Sequence, residues 1–382
     1  MPRIEFKLPK GAILFSDDAF AYEFREDLGE AHHGLSLFVA RRRAADGSIL
    51  GKVLLKAVGP QTGTEGERVK RARAKLEEQV RLASYLKHPG ILSVDGLHKA
   101  EGTWYVLTEH PKGPNLNELV TIVTDCRRWF SPQFALYVGA QVASALEHAH
   151  AATDERGRPL GIVHRAIDLE HVFMDANGVV QVSDFGLSFS GLPGRVASTT
   201  ARPQVEVHST SPEMLLTGRV DARSDLYALG LVMLELSTGK NLLDAPDGVP
   251  DAVKAKLSRR QRQRVNRAVE RARLAGWGPG SESVIWRAAT YTPEDVDAAT
   301  ADLPELLRVP LCRLLQREPT ARYQSAGELA ADLRRWHGDA YGKRDAAAEV
   351  KRTVEDAGAR FVRWQLRGDR ADERPQGESS TA

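Results

Sequence analysis

The period of the hydrophobic pattern changes once along this chain, near residue 130, and that change limits the folds open to it. Residues 20–110 run in short segments of alternating apolar and polar positions, interrupted by one helical stretch, Glu67–Lys87. Alternation of period two belongs to half-buried strands, so this part reads as a small sheet with one helix. From Ser131 the apolar residues Phe134, Val138, Val142 and Leu146 recur every four positions, the spacing of a helix face. Ser325-Ala326-Gly327-Glu328 reads as a capping box that opens a further helix. No internal repeat is evident.

At 382 residues the chain exceeds one average domain, although a two-lobed body of roughly 250–300 residues would use most of it. Hydrophobic content of 42% and charged content of 27% are those of an ordinary soluble protein. The formal charge of +2 gives no global field to recruit nucleic acid or a membrane surface. Two cysteines, Cys126 and Cys312, are too few for a disulfide framework or a zinc site. The start Met1-Pro2-Arg3-Ile4-Glu5 lacks an apolar signal core, and the longest apolar run, Leu226–Leu236, is short and contains Glu235. These features set the expectation of a cytoplasmic protein with no membrane and no nucleic-acid role.

Residues 164–173 read His-Arg-Ala-Ile-Asp-Leu-Glu-His-Val-Phe, and an intact Asp184-Phe185-Gly186 follows. Lys56 lies in the strand-like Lys52–Val58. Ser211-Pro212-Glu213 precedes Asp221-Ala-Arg-Ser-Asp225-Leu-Tyr-Ala-Leu-Gly230-Leu-Val-Met-Leu-Glu235, and Gln316-Arg-Glu-Pro-Thr-Ala-Arg322-Tyr-Gln-Ser comes later. In order and spacing these motifs resemble those of bacterial eukaryotic-type (Hanks-type) serine/threonine protein kinases, over roughly residues 20–338. The resemblance implies an α+β, bilobal protein-kinase-like fold. The small β-rich lobe would be 20–110 and the large helical lobe 111–338, with an insert around 241–305 and a lead-in of 1–19. A C-terminal helix over 339–366 and a disordered tail over 367–382 would follow.

By the same resemblance, Lys56 grips phosphate, the Glu109 carbonyl faces the adenine, Gly29 and Gly34 belong to the loop over the phosphates, and Asp184 holds the metal. His164, Arg165, Phe185, Glu213, Asp225 and Arg322 are implied to hold the large lobe together, with Arg322 paired to Glu213. Several positions depart from the family. Ala166 stands where the aspartate that orients the acceptor hydroxyl belongs, and a methyl group cannot accept a proton. Asp168 replaces a lysine or similar group and adds negative charge where positive charge is useful. His171 replaces an asparagine that helps hold a second metal, and imidazole is a poor ligand for magnesium. Ala31 replaces the middle glycine of the phosphate loop, and Pro111 removes an N–H that would bind the adenine. Val205 and Glu206 replace a Gly-Thr pair. Gln79 falls at the position of the glutamate that pairs with Lys56, with Glu78 beside it. Neighbouring helix positions point about 100° apart, so the count alone leaves open which one faces Lys56. His32 and His33 read as solvent-facing loop residues rather than metal ligands.

The implied cofactors are ATP and magnesium, bound weakly or not at all. The reading is a protein-kinase-like pseudokinase, a scaffold or allosteric regulator with a protein partner. The alternatives are a weak or unusual ATP-dependent serine/threonine kinase, or a nucleotide-gated switch. Oligomeric state, partner and pathway are not encoded legibly. Two surfaces lie outside the family plan. One is the basic stretch Lys254–Arg273, a docked helix with a solvated face or a site for an acidic partner. The other is the stripe Ala347, Val350, Val354, Ala357, Phe361 and Trp364.

Overall fold

The computed structural model describes residues 8–31, 35–59, 66–126, 129–192, 207–278, 280–338 and 341–372, with backbone alone at 30, 31, 66–68, 71, 187 and 359–372. The remaining residues, which include His32, His33, Gly34, Val205 and Glu206, lie outside the described set.

The small lobe is a six-stranded antiparallel sheet of β1 (Ile13–Ser16), β2 (Phe20–Ala31), β3 (Leu35–Ala44), β4 (Ile49–Val58), β5 (Val94–Ala100) and β6 (Thr103–Glu109), in the order β1-β2-β3-β4-β6-β5. Alternation along β4 decides what the lobe offers to the cleft. Leu55 and Ala57 enter one apolar cluster with Phe15, Tyr22, Phe24 and Phe38. Val58 lies on the other face, against Leu76 and Ala72 of α1 (Gly66–Ala83), and Lys56 shares that face. The expected lead-in contributes to the fold at residues 13–16, which form β1, the edge strand of the sheet. Helix α1 stops at Ala83, short of the expected Lys87, and turns lead from it to His88-Pro89. A proline disfavours helical backbone in the residue before it.

The large lobe is built on α3 (Pro132–His150) and α5 (Ala222–Thr238), joined by α2 (Leu116–Cys126) and the short pair β7 (Val172–Met174) and β8 (Val180–Val182). Ser131 caps α3 and is followed by Pro132 at its first turn. Helix α5 opens on an Asp221–Ser224 capping box and is buried on nearly every side, which is why its sequence shows a continuous apolar run and no stripe. Gly230 is needed there, since a Cβ would sit 2.8 Å from the Leu314 side chain.

Around this pair lie α4 (Pro212–Thr217), α6 (Asp251–Ala255), α7 (Arg259–Leu274), α8 (Ser281–Thr290), α9 (Pro293–Thr300), α10 (Glu305–Leu314) and α11 (Ala326–His337). The basic stretch is therefore two helices, not one. The break falls at Lys256–Ser258, where Ser258 and Gln261 form a capping box for α7.

The last helix, α12, runs from Lys343 to Asp372, six residues past the expected end at 366, so 367–372 is helical and not a tail. Its docked face also differs from the expected stripe. Ala346 and Thr353 are buried and Val350 packs on the large lobe, whereas Val354 is exposed. The carboxylate of Glu349 anchors it, accepting from the Ser131 N–H at 2.5 Å, the Ser131 hydroxyl at 2.8 Å and the Tyr341 hydroxyl at 2.7 Å. The side chains of Phe361 and Trp364 lie outside the described set.

Candidate functional site

The cleft between the lobes brings Lys56 of β4 and Asp184 of the loop after β8 into a direct ion pair between Nζ and Oδ1, with both side chains largely buried. Asp184 adopts left-handed backbone, φ 61° and ψ 45°. The helix α1 settles the register left open above. Glu78 is buried and takes Lys75 at 3.0 Å, while Gln79 faces the Asp184-Phe185-Gly186 turn. A Cβ on Gly186 would stand 2.7 Å from Gln79 Oε1, so this close approach needs glycine. With a neutral amide in the place of a carboxylate, the anionic partner of Lys56 in the cleft is Asp184.

Below that pair, Asp225 of α5 holds the loop that precedes Ala166. It accepts from the backbone N–H of His164 and of Arg165, both at 2.8 Å, and pairs with His150 Nε2 at 2.8 Å. These bonds fix Arg165 at φ 66°. His164 donates from Nε2 to the Ser183 carbonyl at 2.8 Å and accepts at Nδ1 from the Ala166 N–H at 3.2 Å. That is the arrangement of a neutral imidazole, and burial holds its pKa below the ordinary value. Phe185 packs edge-on against the same ring at 4.4 Å. Ala166 itself is fully buried.

Asp168 does something the sequence concealed. Its Oδ1 accepts from the N–H groups of Glu170 and His171, both at 2.9 Å, and from His171 Nδ1 at 2.7 Å. Burial pulls the His171 pKa down, but the Asp168 hydrogen bond and the charges of Asp168 and Asp184 outweigh it and raise the pKa. The negative charge expected at residue 168 is present, and it is directed onto His171. Asp168 Oδ1 is taken by the turn and His171, and Glu170 is exposed, lining a cavity of about 390 Å³ with Asp168, His208, Glu235, Asn241 and Asp244. Burial pushes the Glu235 pKa up in that cavity. Sequence reasoning missed it because its walls come from four separate stretches of chain.

At the hinge Pro111 is buried, and its carbonyl accepts from His110 Nδ1 at 2.7 Å. Residue 111 therefore has no N–H to offer a base, and its carbonyl already accepts one hydrogen bond. Gly29 sits at φ 101° on β2, its N–H bonded to Asp27 at 2.7 Å, and Gly34 lies outside the described residues. Behind the hinge a second cavity of about 440 Å³ is lined by Gln79, Leu86, Ile91, Thr108, Asp184 and Phe185.

Glu213 and Arg322, distant in sequence, form a bidentate pair with both contacts at 2.9 Å. The other guanidinium N–H groups reach the carbonyls of Gln316, Arg317 and Arg223, so all five donors are used. Burial alone would raise the Glu213 pKa, but Arg322 outweighs it and holds the carboxyl below the usual range.

The donor set does not suit magnesium. Magnesium takes near-octahedral oxygen ligands. Here Oδ1 of Asp184 is held by Lys56, and the residue at 171 is an imidazole tied to Asp168. Among the described residues no group of three or more His, Cys, Asp or Glu side chains is placed to hold a metal.

This fold and cleft define a two-lobed kinase body. The model of the protein tyrosine and serine/threonine kinase family matches residues 22–272, and the chain belongs to that family. It is 25% identical over 283 residues to the serine/threonine-protein kinase PrkC of Bacillus subtilis, a match covering 74% of this chain and 36% of that protein. It is 30% identical over 203 residues to the tyrosine-protein kinase MasK of Myxococcus xanthus, covering 53% of this chain and 30% of that protein. The chain thus spans about a third of the length of these relatives. In fold it is similar to the crystal structure of the PknI kinase domain C20A_R136A double mutant of Mycobacterium tuberculosis, with a TM-score of 0.51, 19% identity, and coverage of 87% of this chain and all of that one. No described helix is long and apolar enough to cross a membrane.

Proposed function

We propose that this chain is a pseudokinase, a kinase-fold protein that acts by binding a protein partner as a scaffold or allosteric regulator. The observation that carries the reading is the state of position 166. Its side chain is a buried methyl group, and of the two other carboxylates in the loop Asp168 is hydrogen-bonded to the turn and to His171 while Glu170 is exposed to solvent. A phosphate acceptor has no group to orient its hydroxyl, and displacement of about 1 Å alone costs ~10²-fold in rate. Nucleotide is disfavoured separately, because ATP would have to separate Lys56 from Asp184 and dock on a hinge without the usual N–H. Two free cysteines, one of them buried, suit the reducing cytoplasm, where we place the protein.

One observation favours the enzymatic alternative. Lys56 and Asp184 are both retained and adjacent, and a phosphate group could draw them apart to grip it. A transfer assay with labelled ATP, run beside an ATP titration with and without magnesium, decides between the readings. Absence of transfer and of tight binding supports the pseudokinase. Transfer abolished by Asp184→Ala establishes a kinase, and tight binding without turnover establishes a nucleotide-gated switch.

A further inference from the structure

Helix α7 carries seven arginines and one acidic residue, Glu270, whereas the whole chain has a formal charge of only +2. The rest of the protein is therefore net negative, and positive charge is concentrated on one element. Positions 260, 264, 267 and 271 stand in the i, i+4, i+7, i+11 relation, which places four arginines along one line of the helix surface. At 1.5 Å per residue the line is about 16 Å long. All four arginines are exposed. Among the described residues no carboxylate pairs with Arg260, Arg264 or Arg267, and Glu270 pairs with Arg273.

The element that presents this line is rigid. Val265, Ala268 and Ala272 are buried against the large lobe, the capping box at Ser258 fixes one end, and Arg271 near the other donates to the Leu215 and Leu216 carbonyls of α4 at 3.2 and 3.1 Å. Among the described residues no carboxylate offsets the repulsion between Arg260, Arg264 and Arg267. Like charges at helical i, i+4 spacing destabilise the helix. An external anion relieves it.

We propose that the line Arg260, Arg264, Arg267 and Arg271 is a docking surface for an acidic peptide segment of a partner protein. The shape of the charge selects this occupant. Side chains on one face of an extended peptide recur about every 6.8 Å, against steps of ~6, ~4.5 and ~6 Å along the line, a difference that the long arginine side chains can span. Carboxylates at alternate residues therefore meet successive guanidinium groups, which bind carboxylate bidentately. A nucleic acid or an anionic membrane is far larger than the line and would overlap the net-negative remainder of the surface. The exposed residues along the line also include no aromatic side chain to stack on a base. The surface works whether or not the cleft transfers phosphate.

The test is titration of the full chain with a fluorescent peptide of alternating Glu and Ala, its Gln-Ala counterpart, duplex DNA, and vesicles containing phosphatidylserine. Two variants lose equal charge: Arg260→Gln with Arg264→Gln on the line, and Arg262→Gln with Arg273→Gln on the far side. The expected result is salt-sensitive binding of the Glu-Ala peptide alone, weakened roughly fivefold by the on-line variant and under about twofold by the other. Unchanged melting temperatures show that both variants are folded. Equal weakening by the two variants, preference for DNA or vesicles, or no binding of the acidic peptide overturns the proposal.

Discussion

Replacing Glu213 by Gln keeps the side chain's shape and removes its charge, and the structure allows the cost to be worked out. Arg322 is wholly buried, and two of its five donors end on Glu213. The amide that replaces one carboxylate oxygen would turn a donor toward a donor. Removing one partner of a buried ion pair costs about 3–5 kcal/mol, because the other charge stays behind in the interior. Three carbonyls still serve Arg322, so the low end applies, and we expect a loss of about 3 kcal/mol at neutral pH. The pH dependence follows from the depressed carboxyl pKa. A group whose folded pKa is lowered contributes its full stability above the unfolded carboxylate value, and this is lost as pH falls through the folded pKa. The gap between wild type and Glu213→Gln should therefore be complete at pH ~7 and should shrink in acid below pH ~4. Urea unfolding followed by tryptophan fluorescence at both pH values measures it. A loss under about 1 kcal/mol at neutral pH, or a gap that does not close in acid, refutes the reasoning. A further check is the pair Glu213→Leu with Arg322→Leu, which should be less destabilising than either substitution alone.

Other outcomes are expected. Ala166→Asp should not restore phosphate transfer, because the position is fully buried and Lys56, Asp184 and His171 remain engaged; robust transfer by this single variant in a labelled-ATP assay would count against the altered cleft. Asp168→Asn should lower the His171 pKa, read by NMR titration of the imidazole. Since that pKa is raised in the folded protein, the Asp168–His171 contribution is complete below the ordinary histidine value and fades as pH rises through the folded value, and the variant should flatten this slope. Glu349→Ala removes three hydrogen bonds that seat α12, so amides of residues 343–358 should exchange much faster while those of α5 do not; unchanged exchange would show that apolar contacts alone seat the helix.

Much of the architecture was legible because it rests on local physics. A period of two in the first part and of about 3.6 in the second are properties of short windows, and they separate sheet from helix before any contact is known. The motif positions, Lys56 on a strand and Asp184 after another, could be read in the same way. Helix ends were less legible. Glu67–Lys87 reads too long at its end and Lys254–Arg273 reads as one helix where there are two, since the turns before His88-Pro89 and the Ser258 cap interrupt a pattern that composition alone carries through.

The site's chemistry belonged to the tertiary structure. Adjacent positions 78 and 79 face directions about 100° apart, and only the packing of α1 on the cleft decided that Gln79 meets Gly186 while Glu78 turns to Lys75. The charge of Asp168 acts on His171 because a turn brings them together. The residue at 166 is covered by its surroundings, and Lys56 and Asp184, 128 residues apart, become partners only when the lobes close on each other. Glu349 reaches Ser131 across 218 residues. The sequence by itself determined the elements, their order and the loss of one carboxylate, because these depend on residue identity and near neighbours. Which charges neutralise one another, and so which groups stay free for a nucleotide or a partner, was decided by distance in three dimensions, since Coulomb and hydrogen-bond energies depend on separation in space and not along the chain.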